Sequence, residues 1–141
     1  MTCEPRNIYE QLERDEDKRN RPYRDSVGKL TIGVGHNLDD KPISDRAVRV
    51  ILEDDVADAR RDLQTALPWV ETLSEPRQAA LLNMCFNMGV GGLLTFKKAL
   101  AAIKAGQWDI AGAEILHSKY AEQVGPRAHR VIQQIKEDRW V

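Results

Sequence analysis

Residues 79–88, AALLNMCFNM, constrain the fold more than any other stretch of this chain. Wound at 3.6 residues per turn, they are apolar on nearly every side, with Asn83 and Asn87 as the only polar line. A helix of that kind has to be enclosed by other elements, so it marks the centre of a helical body. Ser74 stands where its N-cap belongs and Gly89 where it should end. Gly91-Gly92 then reads as a turn, residues 96–105 as a helix stopping at Gly106, and residues 108–116 as another. Residues 118–123 carry no clear period, and Gly125-Pro126 opens a last helix with Ala128, Val131, Ile132 and Ile135 inward and Trp140 near its end.

The first half has a different texture. Asn7 caps a short amphipathic helix carrying Ile8, Tyr9 and Leu12, with Glu16 at its C-terminal end. A carboxylate there opposes the negative end of the helix dipole, which implies solvent exposure or a functional acid with a specific partner. Residues 19–21 read as a polar loop, 22–24 as a short strand, 25–28 as a turn, and 29–34 as a second strand. A third short strand follows around residues 36–38. Gly33 and Gly35 flank Val34, and glycine inside a strand signals a bulge or a close approach by ligand or backbone. Ser44 caps a long helix in which Val48, Ile51, Leu52, Val56, Ala59 and Leu63 repeat at three and four residues, to about Ala66. Such a helix spans roughly 33 Å at 1.5 Å per residue, long enough to bridge two lobes. Asp55 falls on or beside its inner stripe. A half-buried acid requires a partner, and His36 is the candidate.

Composition narrows the function classes. With 42% apolar and 30% charged residues in 141, the chain is an ordinary globular one, long enough for a single core or two small lobes. Residues 1–66 hold 12 Lys/Arg against 15 Asp/Glu and residues 67–141 hold 9 against 7, so neither half projects a basic field toward nucleic acid. Cys3 and Cys85 do not suggest a disulfide. The first residues lack the apolar core of a leader peptide, and no stretch reaches membrane-spanning length, so the expectation is a product made soluble, with no stable membrane insertion. No cofactor is implied. The run from Gly33 lacks the third glycine of a dinucleotide fingerprint, the acids near Asp15 lack the frame of a calcium loop, and no His/Cys spacing calls for a metal.

Chemistry concentrates between Asp15 and Leu38. Two carboxylates, Glu16 and Asp25, are joined by a tight hairpin, and Thr31 begins the run TIGVGH. Glycoside hydrolysis needs such a pair, one acid to protonate the leaving oxygen and one carboxylate to act as base or nucleophile. Alone, each residue has an ordinary explanation: a solvated glutamate, a turn aspartate, a β-branched strand residue.

The spacing of Glu16, Asp25 and Thr31 with TIGVGH resembles the signature of the phage-type lysozymes. So do RQAALLNMCFNMGVGGLLTF, GQWDIAGAEILHSKY and GPRAHRVIQQIKEDRW, which carry the likeness over nearly the whole chain. The one departure is a short connection from Leu38 to Ser44. The resemblance implies an α+β, mainly α, lysozyme-like two-lobe fold in a single domain. A small antiparallel sheet and the long connecting helix occupy about 1–66, and a helical lobe occupies about 67–141. It implies cleavage of the β-1,4 bond between N-acetylmuramic acid and N-acetylglucosamine, leaning toward inversion, with no metal. Glu16 would be the general acid, Asp25 the base or nucleophile, and Thr31 the holder of water or substrate. Gly33 and Gly35 would let a sugar approach the backbone, and Asn87, Phe96 and Gln123 would line the cleft. His36 would pair with Asp55 to fix the hairpin, and Arg127 would face Glu16. The partner would be the glycan strand of peptidoglycan. A monomer would await a holin or equivalent in the host cytoplasm and then lyse the host.

Two other classes fit parts of the chain. One is a non-catalytic wall-binding module of the same fold. The other is a membrane-active antibacterial protein using the last helix, where Arg127, Arg130, Lys136 and Arg139 lie beside an apolar face. Glu137 and Asp138 on the polar side favour packing of that helix into a core.

Overall fold

The computed structural model describes residues 4–141, which leaves Cys3 outside the described residues. These form two compact units, one ending at Val50 and the other running Ile51–Val141.

In the first unit, α1 spans Ile8–Glu16. Asn7 caps it by accepting the Glu10 N–H at Oδ1 (2.9 Å), while the Glu10 carboxylate reaches back to the Arg6 N–H (2.8 Å). The chain leaves the helix through Asp17, whose φ of 65° is uncommon for a residue bearing a side chain. Strands β1 (Lys18–Arg24), β2 (Leu30–Val34) and β3 (His36–Asn37) make an antiparallel sheet in that order. The expected loop at 19–21 is strand instead. Its polar sequence hides it, because β1 is defined by main-chain pairing with β2 and by no buried stripe. Arg19 pairs with Gly33 and Tyr23 with Thr31, so three residues of β1 stand opposite Ile32. That bulge accommodates Pro22, which has no N–H for a ladder.

The short connection after β3 is tied down by its acids. Asp39 Oδ2 accepts the Leu30 N–H (2.8 Å) and meets Arg24 (3.3 Å), and Asp40 pairs with Lys29 (3.1 Å). The Lys29 ammonium holds the Asp40 carboxyl below its ordinary pKa. Helix α2, Asp45–Ala66, starts as expected, with Ser44 Oγ accepting the Ala47 N–H (3.2 Å). Its apolar stripe is covered only at Ala59 and Leu63. Val48, Ile51 and Leu52 are exposed, and so is Asp55, which the stripe had placed half-buried. Periodicity identifies the face of a helix and leaves open how far that face is covered.

The second unit is helical. A 3-10 turn at Pro68–Thr72 leads into α3 (Glu75–Leu94), α4 (Lys97–Lys104), α5 (Trp108–Leu116), α6 (Lys119–Val124) and α7 (Pro126–Glu137). α3 breaks at Gly89 (φ 77°, ψ 161°) as expected, but Gly91-Gly92 continues the helix and makes no turn. A Cβ on Gly92 would stand 2.9 Å from Met88 Cγ, so its lack of a side chain serves packing. The stretch without a clear period is α6, capped by Ser118, whose Oγ accepts the Ala121 N–H (3.3 Å). Leu81, Met84, Leu93, Ile103, Ile115 and Ile135 are fully enclosed. The inner face of α7 belongs to this core, which removes the basis for a free amphipathic helix.

The start of α3 is clasped to the end of α7. Arg77 Nε donates to the Ile135 carbonyl (2.7 Å), its guanidinium lies 3.7 Å from the Trp108 ring centre, and Nη1 meets Asp138 (3.5 Å). Ser74 Oγ donates to Asp138, and Gln134 Nε2 donates to the Pro76 carbonyl (2.6 Å). The cation thus satisfies a C-terminal carbonyl that the helix itself leaves open. Arg77→Ala should lower stability by about 2–3 kcal/mol, the scale of charge-assisted bonds lost together, as read by urea denaturation. Gly112→Ala should cost about 1–3 kcal/mol by overpacking, since its Cβ would meet Ile132 Cγ2 at 3.0 Å and Lys136 Cδ at 3.2 Å.

Candidate functional site

In the first unit the hairpin arranges the acids. Asp25 opens the turn, and its Oδ1 accepts the N–H groups of Val27 (3.0 Å) and Lys29 (2.8 Å). Its own N–H bonds the Lys29 carbonyl (2.9 Å), and Gly28 closes the turn at φ 83°. One carboxylate oxygen is therefore committed to the backbone, while Oδ2 has no hydrogen bond among the described residues. Thr31 is the buried polar residue of the sheet, with Oγ1 donating to the Lys29 carbonyl (2.9 Å).

Glu16, at the end of α1, lies against β2's exit. A Cβ built on Gly35 would sit 2.9 Å from Glu16 Oε2 and 3.3 Å from its Cδ. Gly33 has the same left-handed backbone (φ 70°) with open space where a Cβ would be. The two glycines that looked equivalent in sequence thus have different surroundings: Gly35 borders the acid and Gly33 borders nothing. His36 Nε2 is 2.9 Å from the Lys41 carbonyl, a bond that ties β3 to the connection after it.

In the second unit, Asn87, Phe96 and Gln123 line one pocket of about 830 Å³, with Met88, Val124 and Ala99 among its apolar walls. Lys97, Lys98 and Lys119 are also on its lining, facing a single carboxylate, Glu114. Sequence reasoning missed these lysines, because a charged residue in a helix reads as solvated until a concavity is seen beside it. It missed Tyr120 too. Its ring packs edge-on against Phe96 at 6.0 Å between centres, and its hydroxyl is buried without a hydrogen-bond partner. Burial pushes the Tyr120 phenol above its ordinary 10.0, partly offset by the Arg127 charge. Arg127 is itself held by Asn83, with Nε donating to Oδ1 (2.9 Å). The signal for Asn83 was present, since it shares the polar line of α3 with Asn87.

Among the described residues, seven helices and one small antiparallel sheet define a mainly helical α+β protein with a carboxylate-bearing hairpin. The phage lysozyme family model matches residues 13–136. The chain therefore belongs to the phage lysozyme family, a lysozyme class of glycoside hydrolase. It is 33% identical over 153 aligned positions to the pre-baseplate central spike protein Gp5 of Enterobacteria phage T4, covering 89% of this chain and 27% of that protein. It is 28% identical to probable T4-type lysozyme 1 of Dictyostelium discoideum, covering 92% of this chain and 94% of that one. It is 29% identical to an SAR-endolysin of Bacteriophage PS119 over 70% of this chain and 58% of that protein. The chain thus spans about a quarter of the spike protein and nearly all of the Dictyostelium protein.

Asp25→Asn keeps an oxygen for the turn and should leave stability within about 0.5 kcal/mol, whereas Asp25→Ala removes both side-chain bonds of the turn and should cost about 0.5–1.5 kcal/mol, since water can reach the freed N–H groups. Thermal unfolding of both variants compares them. For Tyr120, the fold favours the neutral phenol. Its contribution is whole below 10.0 and disappears as pH rises through the higher folded value. An absorbance titration of phenolate against Tyr120→Phe should therefore show Tyr120 ionising later than an ordinary phenol.

Proposed function

We propose that the chain is a muramidase that hydrolyses the β-1,4 bond between N-acetylmuramic acid and N-acetylglucosamine in peptidoglycan. The observation that carries the reading is the match of residues 13–136 to the phage lysozyme family, across the hairpin that holds Glu16 and Asp25. Glu16 would donate its proton to the glycosidic oxygen as the bond breaks. Asp25 would work on the anomeric side through Oδ2, since Oδ1 is occupied by the turn. The Thr31 hydroxyl spends its own proton on Lys29, so it would receive a hydrogen bond from the attacking water. Such a water, donating to Thr31 and to Asp25 Oδ2, would keep a lone pair for carbon.

Gly33 would let the sugar pass close to the strand, and the pocket lined by Asn87, Phe96 and Gln123 would hold more of the polymer. His36, Asp55 and Arg127 would support the site, with Arg127 held ready by Asn83.

The biological setting would be host lysis by a monomer stored in the cytoplasm and released through a holin. The likeness to an SAR-endolysin supports the endolysin setting. No single helix among the described residues is long and apolar enough to cross a membrane. The likeness to Gp5 supports use of the same chemistry in a phage spike.

Purified Gram-negative peptidoglycan decides the central point. Clearing with new reducing ends by the native protein, and a loss of about 10²–10⁴-fold in Glu16→Gln, the weight of a general acid, are expected. Clearing without reducing ends would assign another bond. Binding without clearing would favour the wall-binding module. The anomer first released, read by NMR, distinguishes inversion from retention.

A further inference from the structure

We infer that Gly35 is a positioning residue for the Glu16 carboxylate, selected for the side chain it lacks. This rests on the proposed role of Glu16 as general acid. Two features of the hairpin converge on that acid. At one end, α1 stops directly after Glu16, where Asp17 takes a backbone conformation (φ 65°, ψ 139°) that is uncommon for a residue with a side chain. At the other, the bare α-carbon of Gly35 receives the carboxylate, with Oε2 2.9 Å and Cδ 3.3 Å from where a Cβ would be. A Cβ essentially never stands 2.9 Å from an oxygen, so an L-residue at 35 displaces the carboxylate, the flexible end of the Glu16 side chain, or shifts the strand. Gly35 is also at φ 67°, which only glycine adopts freely.

The glycine first read as room for a sugar is thus filled on its Cβ side by the protein's own acid. Gly33, at φ 70° with nothing within 4 Å, keeps that earlier reading. A displacement of about 1 Å at a reacting group costs about 10²-fold in rate, which makes the position a lever on kcat.

Backbone strain and displacement of the acid are separable because Gly106, in the helical unit, has φ 73° with only an ordinary contact beside it, 3.8 Å to the Trp108 ring. Gly106→Ala measures the strain alone. Gly35→Ala should lower kcat on peptidoglycan by about 10²-fold with KM unchanged, and should move the acid's limb of the pH–rate profile. Gly106→Ala should alter stability and leave that limb in place. A Gly35→Ala enzyme with the kcat and pH profile of Gly106→Ala overturns the inference while leaving Glu16 as the acid. A Glu16→Gln enzyme that keeps full activity overturns the proposed chemistry instead, and the two failures are told apart by that variant.

A thermodynamic cycle covers the case in which Gly35→Ala is too unstable for kinetics. Glu16→Ala removes the colliding carboxylate, so Gly35→Ala should lower Tm less in the Glu16→Ala background than in the native one. Equal losses in both backgrounds would show that backbone strain alone is responsible and would overturn the inference.

Discussion

Main-chain hydrogen bonding through Asp25 is what the hairpin unit depends on. Thr31 is the one fully buried residue described before Val50, so burial contributes little to holding this unit together. The turn is closed instead by a side-chain oxygen that receives two N–H groups, and the far edge is tied by Asp39 to Leu30. Unsatisfied amides are costly, and here each is matched by a short local acceptor. The Asp25 carboxylate is therefore held through Oδ1 alone, with Oδ2 left without a hydrogen bond among the described residues.

The helical unit is held by different means. α3 buries Ala80, Leu81, Met84, Cys85 and Leu93 on one face while Asn83, Phe86 and Asn87 stay exposed, and close approach is secured where Gly92 and Gly112 present no side chain. Arg77 joins the start of α3 to the end of α7 by stacking on Trp108 while capping the Ile135 carbonyl. Interlocked packing of this kind leaves the pocket lined by Phe96 and Tyr120 with rigid walls, since both rings are held edge to face.

Most of the fold was legible in residue order because its signals are local. Gly89, Gly106 and Gly125 mark breaks at their true places, Asn7 and Ser44 cap the helices they announce, and AALLNMCFNM buries Ala80, Leu81, Met84 and Cys85, though Phe86, which its composition would enclose, is exposed. The polar strand KRNRPYR was hidden because pairing with β2 is non-local, and KYAEQV because six residues give a helix no measurable period. The same division holds at the site. TIGVGH and the acids before it announce a hairpin, and Asn87, Phe96 and Gln123 do share a pocket. Which of two similar glycines borders Glu16, and that a tyrosine hydroxyl lies orphaned near Phe96, are matters of three-dimensional distance.

The polar β1 has an evolutionary corollary. Since its place in the sheet is set by backbone pairing and a bulge that absorbs Pro22, its outward side chains are not chosen by packing. Lys18 and Arg21 can drift in charge without moving the strand, whereas Arg24 is engaged with Asp39 and the Gly28 carbonyl. The surface potential along this edge of the sheet is thus an adjustable parameter, while the geometry of the hairpin stays constant.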